Sequence, residues 1–410
     1  MKRSVIAVAF LCLTNMAWAQ QKKAIFIIID GVSKDVIESV PTPNLHAIAK
    51  EGALISAYQG GELGLYNQTP TISAPGYNNV LTGVWFNKHN VPDNAIKAPN
   101  YNYPTIFRFF EDQYPQKQTA VFSSWQDNRT KLIGEGVPQT KSIKLDHYFD
   151  GLELDTVKYP HDNARKFMSD IDQAVTDNAA QYITQNGPDL SWIYLEFTDD
   201  MGHMYGDSEK YNDAVQAADR RIGQIWEAIK QRKAKYKEDW LIVVTTDHGR
   251  DVKTGKGHGG QSDRERASWI VTNAQGLNDE AKKAQASVVD ILPTIARFIN
   301  VKLSSDQQRE IDGTPLIGKI SLTEPTAVKT DDKINLTWTP ADKEGKVKVW
   351  LTAANNYKQT GKPDAYKLIG DVPVKDGKFT IDLGKETLSD FYKIVLEGKY
   401  NTVNRWVVTK

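Results

Sequence analysis

The chain alternates between short runs that are apolar at every position and longer stretches with helical spacing. Lys23 to Ile29 carries an unbroken Ile-Phe-Ile-Ile-Ile run that stops at Asp30-Gly31. A run with no polar face suits a strand of a parallel sheet covered on both sides. The same pattern predicts strands over Thr119 to Ser123, Leu190 to Phe197, Trp240 to Val244 and Ser268 to Val271. Helical spacing predicts a short helix opened by Thr42-Pro43-Asn44-Leu45 and ended by Gly52. It predicts further helices over Pro104 to Glu111, Asp162 to Asn186, Ser208 to Lys235 and Val288 to Ile299, the last with Pro293 near its middle. This alternation implies an α/β fold with a mostly parallel sheet flanked by helices. In such sheets ligands bind beyond the carboxyl ends of the strands. Asp30, Asp199 and Asp247 all lie just past a predicted strand end.

Past residue 318 the pattern changes to period two. Ile334 to Trp338, Val347 to Thr352, Tyr366 to Ile369, Lys378 to Ile381, Tyr392 to Leu396 and Asn404 to Val408 are separated by turn residues, with no helical spacing. A small antiparallel β-sandwich of about 85–90 residues is expected, similar to immunoglobulin or fibronectin type III modules. The expected organisation is a leader over 1–19, a catalytic domain over 20–320 and the sandwich over 325–410, with the boundary between Lys319 and Lys329.

The leader is read from Lys2-Arg3, the apolar run Val5 to Leu13, and Ala17-Trp18-Ala19. A basic start, a short apolar core and a small-x-small site describe a secretory signal peptide cut after Ala19, which implies a periplasmic or secreted protein. Leu11 stands where a lipoprotein would need a small residue before Cys12. No later stretch is long and apolar enough to anchor the chain in a membrane. The sequence has 51 basic and 51 acidic residues. That balance excludes binding a nucleic-acid duplex by bulk charge. Cys12 is the only cysteine. Any metal must therefore be held by His, Asp, Glu or hydroxyls.

Those ligand types recur in order. Asp30 ends the first strand, Asp199 precedes His203 by four residues, and Asp247-His248 is followed by His258. Carboxylate with imidazole suits zinc and allows other divalent ions. Six such ligands are enough for two sites sharing one nucleophile, and two cations about 4 Å apart can stabilise both the attacking and the leaving oxygen of an in-line displacement. The hydroxyl comes from Thr71-Ile72-Ser73-Ala74-Pro75-Gly76-Tyr77. Ser73 is expected at a helix N-cap, with Pro75 two places on, where no N–H is needed. Each piece alone is as easily an ordinary cap or turn. Their joint position past successive strand ends points to chemistry. His46 reads as surface or packing, His147 and His161 as solvated, and His89 stays open because it falls close behind the serine helix.

With these residues in place, the chain resembles the alkaline phosphatase superfamily, in particular its nucleotide pyrophosphatase/phosphodiesterase branch. The resemblance covers Lys23 to Lys319 and rests on the order Asp30, Ser73, Asp199-x-x-x-His203, Asp247-His248, His258. It implies one metal on Asp199, His203 and His258, and another on Asp30, Asp247 and His248. The nucleophile between them matches Ser73 rather than Thr71, by register with Pro75 and Leu81-Thr82-Gly83. The asparagine that holds a phosphoryl oxygen matches Asn94, eleven residues after Gly83. Sulfatases share a Ser-Ala-Pro-like segment, but Tyr77 stands where they carry arginine. Two features depart from the branch. Only nine residues separate His248 from His258, so the large cap often found there is absent. The Lys-x-Arg pair of some bacterial monoesterases is replaced by Ser124-Trp125-Gln126-Asp127-Asn128-Arg129, which leaves Arg129 as a substrate contact and no lysine.

The expected function is a two-metal phosphoric ester hydrolase, with zinc as the expected ion, acting on a small-molecule phosphate ester through a phosphoserine and preferring diesters or pyrophosphates. The rivals are a phosphomonoesterase on the same site, a sulfatase, and an inert binding protein that uses the sandwich as a recognition module. Neither leaving group nor oligomeric state has a sequence signal.

Overall fold

The computed structural model describes residues 20–386 and 388–409, so the leader expected over 1–19 lies outside the described residues. Eight strands form the first sheet: β1 (Gln21–Ile29), β2 (Ala53–Tyr58), β3 (Thr119–Ser123), β4 (His147–Phe149), β5 (Leu190–Leu195), β6 (Glu238–Thr245), β7 (Ala267–Thr272) and β8 (Ala286–Ser287). Their order is β4-β3-β5-β1-β6-β7-β2-β8. β1 lies at the centre, parallel to both neighbours, with Ile25 opposite Ser191 on one side and Ile242 on the other. β7 runs antiparallel to β6 and to β2. The mostly parallel sheet is therefore as expected.

Alternate residues of the central strands feed two cores. Ala24, Phe26 and Ile28 face one side with Trp192 and Val243, under the helices Ser73–Thr82, Ile106–Gln113 and Ile291–Phe298. Ile25, Ile27 and Ile29 face the other with Ile193 and Ile242, under Pro43–Glu51, Lys166–Asn186 and Glu209–Lys235. Burial on both sides is why the strands read as unbroken apolar runs.

Some boundaries differ from expectation for identifiable reasons. The long helix starts at Lys166, not Asp162, because the Asp162 carboxylate accepts the Lys166 and Phe167 backbone N–H groups at 3.1 and 3.0 Å and stays outside the helix. The strand expected to reach Phe197 stops at Leu195, and Phe197 opens the helix Phe197–Tyr205. Val288 to Asp290 form a 3₁₀ turn before the helix Ile291–Phe298, so Pro293 sits in the first turn, where its missing N–H breaks no bond.

The C-terminal strands are β9 (Leu322–Thr330), β10 (Lys333–Pro340), β11 (Lys346–Thr352), β12 (Lys367–Pro373), β13 (Lys378–Asp382), β14 (Phe391–Glu397) and β15 (Thr402–Val408). They form two sheets, β13-β10-β9 and β12-β11-β14-β15, paired antiparallel throughout. Ile334, Leu336 and Trp338 alternate inward from exposed neighbours on β10 and share one core with Val349 and Ile394. Strand β9 occupies most of the stretch in which composition changes.

Buried charge joins the two units. Lys88 Nζ, fully buried, reaches Asp312 Oδ1 at 2.5 Å and Asn404 Oδ1 at 2.9 Å. Lys393 Nζ, on β14 and equally buried, contacts Glu310 and lies 2.8 Å from Asp364 Oδ2.

Candidate active site

Three neighbouring parallel strands, β5, β1 and β6, end at one edge of the sheet, and the acidic residues follow them directly: Asp30 after β1, Asp199 in the helix after β5, Asp247 after β6. The helix Ser73–Thr82 packs over this edge. Gly76 permits the approach, since a Cβ there would lie 2.7 Å from the Asp247 carbonyl oxygen. Ser73 is the first residue of that helix and not its cap; Ile72, in an extended conformation, takes the cap position. Its hydroxyl lies 3.5 Å from His248 Nε2.

Two of the three imidazoles are oriented by a backbone oxygen. His248 Nδ1 lies 2.9 Å from the Gly249 carbonyl and His258 Nδ1 lies 3.0 Å from the Thr71 carbonyl. A carbonyl only accepts, so both rings carry their proton on Nδ1 and turn a bare Nε2 inward. His203 Nε2 and His258 Nε2 are 3.1 Å apart, with Asp199 Oδ2 3.2 Å from His203 Nε2. His248 Nε2 is 3.4 Å from Asp30 Oδ1 and 3.3 Å from Asp247 Oδ2. Asp199, His203 and His258 form one compact group of donors; Asp30, Asp199 and His248 form a second. Asp199 thus belongs to both, and Asp247 adjoins the second through His248.

The electrostatics call for positive charge. Burial, and then the carboxylates of Asp247 and Asp199, hold Asp30 well above the usual carboxylate range, and burial pushes Asp247 up to about 7. Burial also holds His248 and His258 in the neutral form. Burial opposes the charge on Asp199 as well, yet the Arg250 guanidinium and the His203 hydrogen bond outweigh it and keep that carboxylate ionised. Asp30 Oδ1 and Asp247 Oδ2 are buried without any hydrogen-bond partner. Orphaned carboxylate oxygens beside unprotonated ring nitrogens form a donor set that fits a divalent cation.

Asn94 meets the same helix: its Oδ1 accepts the Ala74 N–H at 2.9 Å. That bond fixes the amide's orientation and leaves Nδ2 as the donor. Arg129 is differently engaged. Its guanidinium bonds Asp150 at 2.6 and 2.9 Å, bonds Glu135 at 2.5 Å and covers the Tyr148 ring. The structure therefore gathers the six expected ligands, Ser73 and Asn94, and commits Arg129 to acidic partners. His89 is resolved as a structural residue. It accepts the Val91 N–H on Nδ1, faces Asn79 Oδ1 at 2.8 Å, and burial holds it down to about 3, so it is neutral.

Three residues at the site gave no recognisable motif. Arg250, fully buried, bonds Asp199 and the carbonyls of Gly31 and Lys256. Tyr77 and Tyr194 both donate to Asp30 Oδ2, Tyr194 at 2.6 Å. The one available signal for Arg250 was a charge directly after Asp-His-Gly; Tyr77 stood out only as the residue in place of a sulfatase arginine, and Tyr194 lay in an apolar strand run.

Comparison with known proteins agrees with this geometry. The sequence profile of the Type I phosphodiesterase / nucleotide pyrophosphatase family matches residues 24–258. Ectonucleotide pyrophosphatase/phosphodiesterase family member 7 of Mus musculus is 23% identical over 263 residues, which is 60% of this chain and 54% of that protein. Bis(5'-adenosyl)-triphosphatase enpp4 of Xenopus laevis is 22% identical over 232 residues, covering 55% of this chain and 47% of that protein. The chain spans about half the length of the curated relatives it matches. Among solved structures, a 2-O GAG sulfatase superposes with a TM-score of 0.50 at 11% identity, covering 89% of this chain and 86% of that one, a likeness of fold. The profile, which spans Asp30 to His258, places the chain in the Type I phosphodiesterase / nucleotide pyrophosphatase family, a branch of the alkaline phosphatase superfamily.

Proposed function

We propose that the protein is a metal-dependent phosphoric ester hydrolase that cleaves diesters or pyrophosphates through a phosphoserine at Ser73. The observation that carries this reading is the position of the Ser73 hydroxyl at a helix start, against two donor groups that share Asp199. Asp199, His203 and His258 would hold one ion, and Asp30, Asp247 and His248 the other. Zinc suits the donors best, and when bound the two ions would favour the serine alkoxide and neutralise charge on the phosphoryl oxygens.

Ser73 Oγ forms the bond to phosphorus, its proton passes to solvent, and the ester or anhydride oxygen departs with the bonding pair. Water then displaces Ser73 and releases the phosphoryl product. Asn94 Nδ2, aimed by the Ala74 contact, donates to a non-bridging oxygen. Of the helix amides, Ala74 already serves Asn94 and Pro75 has none, so Asn94 replaces much of the anion binding that a bare helix start would supply. His248 stays neutral and acts as a ligand, not as an acid.

The choice of diester over monoester follows from Arg129. A monoester dianion needs an additional cation, and this guanidinium is already paired with Asp150 and Glu135. The Xenopus laevis relative's description as a bis(5'-adenosyl)-triphosphatase supports including pyrophosphate bonds. Residues 20–320 are proposed to hold the chemistry, with 325–410 as a module fixed to them. Export after cleavage near Ala19 belongs to the same proposal. No helix among the described residues is long and apolar enough to cross a membrane.

The test is a panel of aryl diesters, monoesters and sulfates with metal content measured on the same preparation. Turnover fastest on diesters, with Ser73→Ala lower by more than about 1,000-fold, is expected. Full diester turnover by Ser73→Ala would overturn the mechanism. A metal-free, inactive preparation would favour a binding protein.

A further inference from the structure

Each of the three site carboxylates has one oxygen tied to a protein donor. Asp247 Oδ1 accepts the Gly31 N–H at 3.1 Å while Oδ2 is unpartnered. Asp199 Oδ1 accepts from Arg250 while Oδ2 faces His203. Asp30 Oδ2 takes two phenols, Tyr77 and Tyr194, whose own oxygens are 2.8 Å apart, and Oδ1 is unpartnered. All three residues of this last arrangement are buried, with Tyr77 fully so. The donors come from different elements: Tyr194 from β5, and Tyr77 from the nucleophile helix. Ser73 and Tyr77 are four residues apart and so share one helix face. The bond that pins Asp30 therefore also fixes how far Ser73 stands from the donors.

We propose that Tyr77 and Tyr194 are positioning residues that restrict Asp30 to a single-oxygen ligand and couple the nucleophile helix to the second metal position. Two phenols on one oxygen remove the option of two-oxygen coordination, which large ions such as calcium use freely and small tetrahedral ions do not require. They also stabilise the carboxylate form against burial and against the two neighbouring carboxylates. The pair would thus set both the affinity and the ion choice of the Asp30 position, while leaving the group of Asp199, His203 and His258 unchanged.

This inference rests on the two-ion reading, and the experiment separates the two. Chelated protein, wild type and the variants Tyr77→Phe, Tyr194→Phe and the double variant, is titrated with zinc against a chromophoric chelator. Bound zinc and calcium are counted after dialysis, and circular dichroism verifies the fold. Phenylalanine keeps the ring and removes one oxygen, so the aromatic packing of Tyr77 on Trp192 is retained. The expected result is two zinc equivalents in the wild type, with one of them weakened by about 10–100-fold in each single variant and the other unchanged. The zinc-over-calcium preference of the weakened position should narrow in the double variant. Wild type that binds fewer than two equivalents overturns the two-ion reading. Wild type that binds two, with variants of equal affinity and preference, overturns the role of the tyrosines. Equal weakening of both equivalents would also overturn it, because a general loss of structure would do the same.

Discussion

Arg250 is the residue on which the centre's charge balance turns. Its guanidinium serves four acceptors, the Gly31, Asp199 and Lys256 carbonyls and the Asp199 carboxylate. Only a planar fork can do so, and a lysine ammonium cannot span the same set. Arg250→Met leaves the half-buried Asp199 carboxylate without its cation, which is expected to cost at most about 3 kcal/mol. Urea unfolding of the chelated protein measures this, and Arg250→Lys is expected to recover less than half of the loss. A midpoint unchanged in Arg250→Met would show that Asp199 is stabilised by other means. Gly202 belongs to the same device: a Cβ there would lie 2.1 Å from the guanidinium carbon, so a small residue is required for the fork to lie across that helix.

At the scale of elements, the serine helix is held by a close approach. Gly76→Ala would place a methyl 2.7 Å from the Asp247 carbonyl and 2.8 Å from its Cβ. Either the helix or the Asp247 loop must shift, and destabilisation of about 1–3 kcal/mol is expected. Thermal unfolding and metal content should fall together; a variant with lost stability and full metal content would argue against a shared support. This helix also shows what the sequence could and could not tell. Ser73 and Pro75 set its start to within one residue, because helix starts are local chemistry. The clustering of the six expected ligands was legible because carboxylates and imidazoles past strand ends follow from β-α alternation. Strand β2 was not legible: Ala53 to Tyr58 has exposed Leu54 beside buried Ile55, and its pairing with distant β7 gives no local signal. Tyr194 was hidden in the same way, since an apolar run does not tell which ring carries a hydroxyl to a carboxylate 164 positions away. Arg129 followed the resemblance into a substrate role, whereas Glu135, six residues on, and Asp150, twenty-one residues on, pair with it in the fold.

For the molecule as a whole, the boundary between its two units is electrically unusual. A cavity of about 260 Å³ opens between Glu280, Asp290 and Arg266 on one side and Glu324 and Arg405 on the other. Burial, and then Asp290 and Glu324, push Glu280 up to about 9, and burial pushes Asp290 up to about 7. Folded protein therefore keeps protons that the unfolded chain releases from about pH 4 upward. This pair therefore contributes a loss of stability as pH rises from about 4.5 through 9, and the fall is expected to be shallower in Glu280→Gln. Urea midpoints at pH 5 and pH 8 decide it, and an equal drop in both proteins would remove Glu280 as the source. Buried ion pairs also cross this boundary. Lys393→Met would strand Glu310 and Asp364 in the interior, at an expected cost of about 3–5 kcal/mol by the same measurement.

The Lys88 contact also decides how such a chain can evolve. Asp312 accepts from Lys88 and from the Trp85 N–H, and its own N–H reaches the Gly83 carbonyl that ends the nucleophile helix. Asn404 on β15 completes the coordination of Lys88. A module tied in this way is not a cassette. Swapping β9 to β15 for another sandwich by recombination would leave a fully buried ammonium short of an acceptor, six residues past the end of the Ser73 helix. Inheritance of the two parts as a single block, rather than by domain shuffling, is what this contact imposes.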